Sequence, residues 1–193
     1  MALLAHDRLR PDRQTILLIL IVLSFFLGPY RQTACAQSAN PREYQLKAAF
    51  LFNFVQFVKW PGAAFSRPDA PFEIGILGDD PFGSAMDDTI QGEAISGHRL
   101  MVVRSVQLDE LKDCQMIFIC RSEGDHLDEI LSQLKSRPVL TVSDVDSFAL
   151  KGGDIDFYLA GDKLRFEINP SAARQCGLKI SSQLLALGKI VEP

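Results

Sequence analysis

The sequence predicts a mixed α/β domain: one sheet with flanking helices, closing on a C-terminal β-hairpin followed by a long helix. Three observations carry this expectation. Short β-like runs alternate with helical ones between residues 72 and 142, the order that builds a sheet covered by helices. Residues 155–159 and 164–168 then alternate apolar and polar side chains on either side of Gly161-Asp162, as antiparallel strands with one wet face do. Finally, 47% of the 193 residues are apolar and 23% charged, with no internal repeat and no linker-like stretch, so one compact domain is expected.

The amino terminus is read separately from that domain. Arg8, Arg10 and Arg13 precede the apolar run Thr15 to Gly28, and Ala34-Cys35-Ala36 follows it. A basic stretch, an apolar core of this length and an A-x-A site make a secretory signal peptide over residues 1–36, with Gln37 as the first mature residue. A retained signal anchor is the alternative, although the run is shorter than the ~20 residues that span a bilayer. Gln32 stands where a lipoprotein signal wants a Leu-like residue, which argues against acylation of Cys35. The mature chain, 37–193, then holds 16 basic and 22 acidic side chains, a net charge of −6 against −4 for the whole. Nucleic-acid binding through a basic surface is disfavoured by that balance.

The elements follow in order. Leu46 to Trp60 is a helix whose Asn53, Gln56 and Lys59 form a narrow polar stripe, leaving Phe50, Phe52, Phe54 and Phe57 spread over the remaining surface. Such a helix is either a central core element or one whose spare face, through Phe52 or Phe57, meets a partner. Pro61 ends it. Phe72 to Leu77 is a strand, after which Asp80 caps a helix begun by Pro81 and ended near Ile90 before Gly92. His98 to Val103 and Cys114 to Ile119 are strands, with a helical turn at Leu108 to Leu111 between them. Asp125 to Leu134 is a helix stopped by Arg137-Pro138, and Val139 to Val142 is a strand ending at Ser143-Asp144. After the hairpin, Asn169 caps a helix started by Pro170, along which Ala173, Cys176, Ile180, Leu184, Leu187 and Val191 make one apolar stripe.

Chemical motifs are sparse. The sequence has no G-x-S-x-G elbow, no phosphate-binding P-loop and no H-E-x-x-H, and Gly75 to Gly78 lacks the third glycine of a dinucleotide fingerprint. No nucleophile and base can be named, so no catalytic residue, cofactor or metal is expected. His98 and His126 are read as surface or structural residues. Asp79 and Asp80 end the first strand as an acidic pair would in a receiver domain, but Cys120-Arg121 ends the third without a phosphoacceptor. These aspartates are turn and cap residues, or they edge a ligand crevice with Phe82, Ser143 and Asp144 at the carboxyl ends of the strands. On the polar hairpin face, Arg165 and Glu167 either solvate that face or contribute to a protein contact.

The mature chain keeps three cysteines. Cys114 and Cys120 bracket one strand, about 20 Å apart at 3.3 Å per residue, and cannot bridge. Either Cys176 pairs with Cys114 or Cys120, or all three thiols are free.

The residues 47–61 (KAAFLFNFVQFVKWP), 75–83 (GILGDDPFG) and the later VLTVSD, GGDIDF, RFEIN and GLKISSQLL resemble the YfiR family of bacterial periplasmic proteins, from Glu43 to Ile190 and in complete order. The resemblance implies a Rossmann-like α/β domain, commonly a homodimer, that acts as a repressor. It implies binding to the periplasmic part of an inner-membrane diguanylate cyclase, limiting cyclic di-GMP and biofilm formation, with release by an outer-membrane lipoprotein or by redox stress. The disulfides of better-described members have no clear counterpart here. A periplasmic small-ligand sensor is the alternative function.

Overall fold

The computed structural model describes residues 40–192; the expected signal peptide lies outside them. The chain enters at helix α1, Pro41–Phe57. Asn40 caps it by accepting the Arg42 N–H at 3.2 Å, Pro41 takes the first turn and Glu43 sits where the helix dipole favours a negative charge. Strand β1, Val58–Lys59, continues from it. Then come β2 (Phe72–Leu77), α2 (Ala85–Ile90), β3 (Ala94–Ile95), β4 (His98–Ser105), β5 (Met116–Ile119), α3 (Leu127–Leu134) and β6 (Leu140–Ser143). The chain finishes with β7 (Ile155–Ala160), β8 (Lys163–Ile168), α4 (Pro170–Gln175), β9 (Lys179–Ile180), α5 (Ser182–Leu187) and β10 (Lys189–Ile190).

Eight of these strands form one mixed sheet in the order β10-β8-β7-β6-β5-β2-β4-β3. β4, β2, β5, β6 and β7 are mutually parallel, while β7 pairs antiparallel with β8, and β3 with β4. Every residue of β5 and β6 is buried, as expected of parallel strands covered on both faces. One face carries α1 and α2: Ala48, Leu51, Phe54 and Val55 pack on Ile74, Ile76, Met116, Phe118 and Val142. The opposite face packs Leu127, Ile130 and Leu134 of α3 on Leu77, Ile117 and Ile119. Among the described residues no helix is long and apolar enough to cross a membrane.

Two expectations are corrected. Asp80 does not cap a helix begun by Pro81; its Oδ1 accepts the Phe82 N–H at 2.7 Å in a local turn, and α2 starts only at Ala85. The long final helix is broken in two. Asn169 caps α4 as its spacing implies, accepting the N–H groups of Ser171 and Ala172 at 3.2 and 3.0 Å. Gly177 then adopts φ +75°, a left-handed conformation that ends helices. This releases Lys179 and Ile180 to pair antiparallel with Lys59 and Val58. The apolar stripe was real but is divided: Ala173, Leu184 and Val191 are buried, whereas Leu187 lies on the surface. Asn53 and Gln56 are exposed on α1; Lys59 is exposed too, but on β1, since the helix ends at Phe57 and not at Trp60.

Candidate functional site

In a doubly wound sheet the chain reverses direction between the first strand and its neighbour, and ligands bind at the carboxyl ends there. Here that point lies between β2 and β5, and side chains already fill it. Phe82 is buried, edge-on to Phe118 at 4.8 Å and to Tyr44 at 5.3 Å between centroids. Ser143 is fully buried, donating to the Ile119 carbonyl at 2.7 Å and accepting from the Val145 N–H at 3.0 Å. Asp79 is exposed, and Asp80 accepts from Nε of Arg104 at 2.7 Å, whose guanidinium also holds Asp87. The crevice expected over Asp79, Asp80, Phe82, Ser143 and Asp144 is thus occupied by the protein's own aromatic rings and ion pairs.

Asp144 anchors the most unusual group. It is 2% exposed, and its Oδ2 meets the Tyr44 hydroxyl at 2.7 Å, Lys47 Nζ at 2.5 Å and Arg121 Nε at 3.2 Å. Lys47, itself 1% exposed, also pairs with Glu43 at 2.6 Å, one helical turn earlier. Its ammonium lies 4.0 Å from the centre of the Tyr44 ring. Burial, and then the hydrogen bond to Asp144, hold the Tyr44 phenol above its usual range. The cluster balances two cations against two carboxylates and fastens α1 to the end of β6. Sequence reasoning treated Lys47 only as a polar member of the helix. The signal was its spacing: Lys47 stands three and four residues before Phe50 and Leu51, on the side that Leu51 and Phe54 bury.

The predicted partner residues separate. Phe57 and Arg165 come together in a groove of about 310 Å³ between α1, β8 and α5, with Phe50, Leu164 and Leu187. Phe50 lies tilted against Phe54 at 6.2 Å and edge-on to Phe166 at 5.7 Å, so the groove has a rigid aromatic floor. Leu187 is 68% exposed at its rim. Phe52, half-buried against the core as Phe57 is, lies five residues and about 140° around the helix from it and outside the groove. Glu167 is half-buried rather than free: it accepts from Lys189 of β10 at 2.6 Å and stands opposite Asp156 of β7.

Asp156 corrects the expected wet hairpin face, because the loop at Phe148 and Ala149 covers it. Burial first, and the charge of Glu167 second, push its carboxyl up to about 7. Burial likewise pushes Asp154 up to about 6, although the Thr141 N–H and hydroxyl donate to it at 2.8 and 2.7 Å. Among the described residues no disulfide forms, and Cys114, Cys120 and Cys176 are free. Burial raises all three thiols, Cys114 to about 12. His98 is structural, its Nδ1 at 2.6 Å from the Ala70 carbonyl and its ring stacked on Phe65. Among the described residues no group of three or more His, Cys, Asp and Glu could hold a metal ion.

A family model described as YfiR/HmsC-like matches residues 44–189. Among solved structures, a conserved domain protein from Vibrio cholerae superposes with a TM-score of 0.50 at 11% identity, over 77% of this chain and 60% of that one. The chain therefore spans less than two thirds of that relative, and the likeness is one of α/β fold. A domain from Streptococcus pneumonia solved in complex with L-Trp aligns more weakly, with a TM-score of 0.46 at 11% identity over 62% of this chain and 55% of that one. No curated protein matches the sequence.

Proposed function

The chain belongs to the YfiR/HmsC-like family, and from that premise we propose that it is a periplasmic negative regulator of an inner-membrane diguanylate cyclase. In this reading it is exported by cleavage after Ala36 and binds the periplasmic part of the cyclase, limiting cyclic di-GMP and biofilm formation. A homodimer and release by an outer-membrane lipoprotein belong to the same proposal. The observation that carries it is the family match, which runs from the first turn of α1 to the start of β10 and so takes in nearly the whole described domain. Repression needs no chemistry: a ligand that prefers one of two cyclase conformations by ~1–3 kcal/mol changes activity severalfold or more.

The groove of Phe57, Leu164, Arg165 and Leu187 is the contact we assign to the cyclase. It joins a rigid aromatic floor and an exposed apolar rim to Arg165, and arginine is among the residues enriched at protein hot spots. Deleting the gene should raise cyclic di-GMP, and the rise should vanish when the cyclase gene is deleted too. Leu187→Asp should reproduce the deletion while leaving the protein folded and exported. An unchanged cyclic di-GMP level on deletion, with the cyclase expressed, would refute the repressor.

The second reading, a small-ligand sensor, draws on a cavity of about 610 Å³ at the amino ends of β2, β5 and β6, lined in part by Glu73, Lys112 and Arg137. Periplasmic extract that raises the melting temperature before dialysis and not after it would support it.

A further inference from the structure

β4 leaves most of one side open. Leu100 to Ser105 pair with Phe72 to Leu77 of β2, but β3 covers only His98 and Arg99. The Leu100 N–H turns outward, to the Glu93 carbonyl at 3.1 Å, while the Ser105 carbonyl turns inward, accepting the Gly78 N–H at 3.0 Å. Along a strand the main-chain groups of successive residues point to alternate sides. Val102 and Arg104 therefore turn both N–H and C=O away from β2, to an edge beyond which no described strand lies.

Natural edges are usually defended by charge, proline or a bulge. The charge on this one is drawn aside: the Arg104 guanidinium is held by Asp80, Asp87 and the Gly83 carbonyl, all in α2 or the turn before it. Beside the edge, a groove of about 350 Å³ runs between α2 and β4, with Ile90, Leu100 and Val102 as its apolar floor, Asp87 and Asp88 as an acidic wall on α2 and the exposed Arg99 on the β4 side. Asp87 pairs with Arg104, whereas Asp88 is exposed and has no ion pair among the described residues.

We infer that this edge receives an extended segment of a protein partner by strand addition, through the main chain of Val102 and Arg104. The segment places an apolar side chain on Ile90, Leu100 and Val102 and a Lys or Arg beside Asp88. Free donors and acceptors on the edge demand an extended chain, the floor selects an apolar residue, and the acidic wall selects a cation. The site lies at the end of the sheet opposite the β8 and α5 groove, so it is a second surface, independent of the cyclase contact.

The test uses the whole mature protein and a labelled, capped peptide, Thr-Val-Thr-Lys-Thr-Val-Thr, whose Val and Lys share one face. Anisotropy should show binding below about 1 mM. Amide exchange at Val102 and Arg104 should slow about tenfold, with Met101 and Val103 unaffected. Two complementary patterns of N-methylation, each on alternate peptide residues, should differ: one abolishes binding and the other does not. Replacing the peptide Lys by Glu should weaken binding, and Asp88→Lys should reverse that preference without touching the core. Leu187→Asp should leave peptide binding intact. Absence of binding at about 1 mM, equal effects of the two methylation patterns, or loss with Leu187→Asp would overturn the inference. So would protection of Val102 that appears without peptide and grows with protein concentration, which would make the occupant a second copy.

Discussion

Replacing Lys47 by Met would test whether the buried cluster fastens α1 to the sheet. The substitution keeps the volume of the aliphatic stem but removes the ammonium 2.5 Å from Asp144. Asp144, 2% exposed, would keep only the Tyr44 hydroxyl and Arg121, and Arg121 is itself largely solvated at 61%. Its Oδ1 has no hydrogen-bond partner that could compensate. Breaking a buried pair from one side costs about 3–5 kcal/mol, because the remaining charge stays desolvated. At about 2–4 °C per kcal/mol for a domain of this size, the melting temperature should fall by about 6–20 °C. Urea unfolding followed by far-UV circular dichroism gives the free energy directly.

One control separates a buried charge from lost packing. Lys47→Met combined with Asp144→Asn removes the buried carboxylate along with its ammonium, so the double variant should be more stable than the sum of the singles implies, by about 2 kcal/mol. A cost below about 1 kcal/mol, the range of exposed ion pairs, or strict additivity in the double variant would refute the reasoning.

Three further outcomes are expected. Because Asp156 holds its proton to about 7 in the fold against an ordinary 3.8, the native state binds more protons between these values, so stability falls as pH rises through that window. Asp156→Asn should flatten that part of the curve measured by urea unfolding from pH 4.5 to 8, and an unchanged slope would show that Asp156 does not titrate there. Gly153→Ala should destabilise by about 1–3 kcal/mol, since an added Cβ would sit 2.1 Å from the buried Phe148 ring; a melting temperature equal to wild type would mean that the ring moves freely. Alkylation after denaturation without reductant should label three thiols per mature chain, and in the native state Cys114 and Cys120 should react far more slowly than Cys176; a mass two units low would reveal a bridge.

The sequence by itself determined the class of fold and most of its elements, because periodicity and turn chemistry are local. Phe72 to Leu77 and the runs flanking Gly161 became strands where the pattern placed them, and Asn169 with Pro170 started a helix. The cysteine spacing excluded a Cys114 to Cys120 bridge, and the order of motifs pointed to the family. Only the tertiary structure decided the rest. Whether the apolar stripe after Ala173 ran as one helix depended on Gly177 and on β1, a strand more than a hundred residues away, offering Lys179 and Ile180 a partner. Phe52 and Phe57 look alike in sequence and both pack half-buried against the core, but only the tertiary structure sets Phe57 beside Arg165. Lys47 and Asp144 are 97 residues apart, and in the sequence one reads as a polar member of a helix and the other as the edge of a crevice. Burial made them a pair, because a desolvated ion persists only where the fold brings its counter-ion within contact.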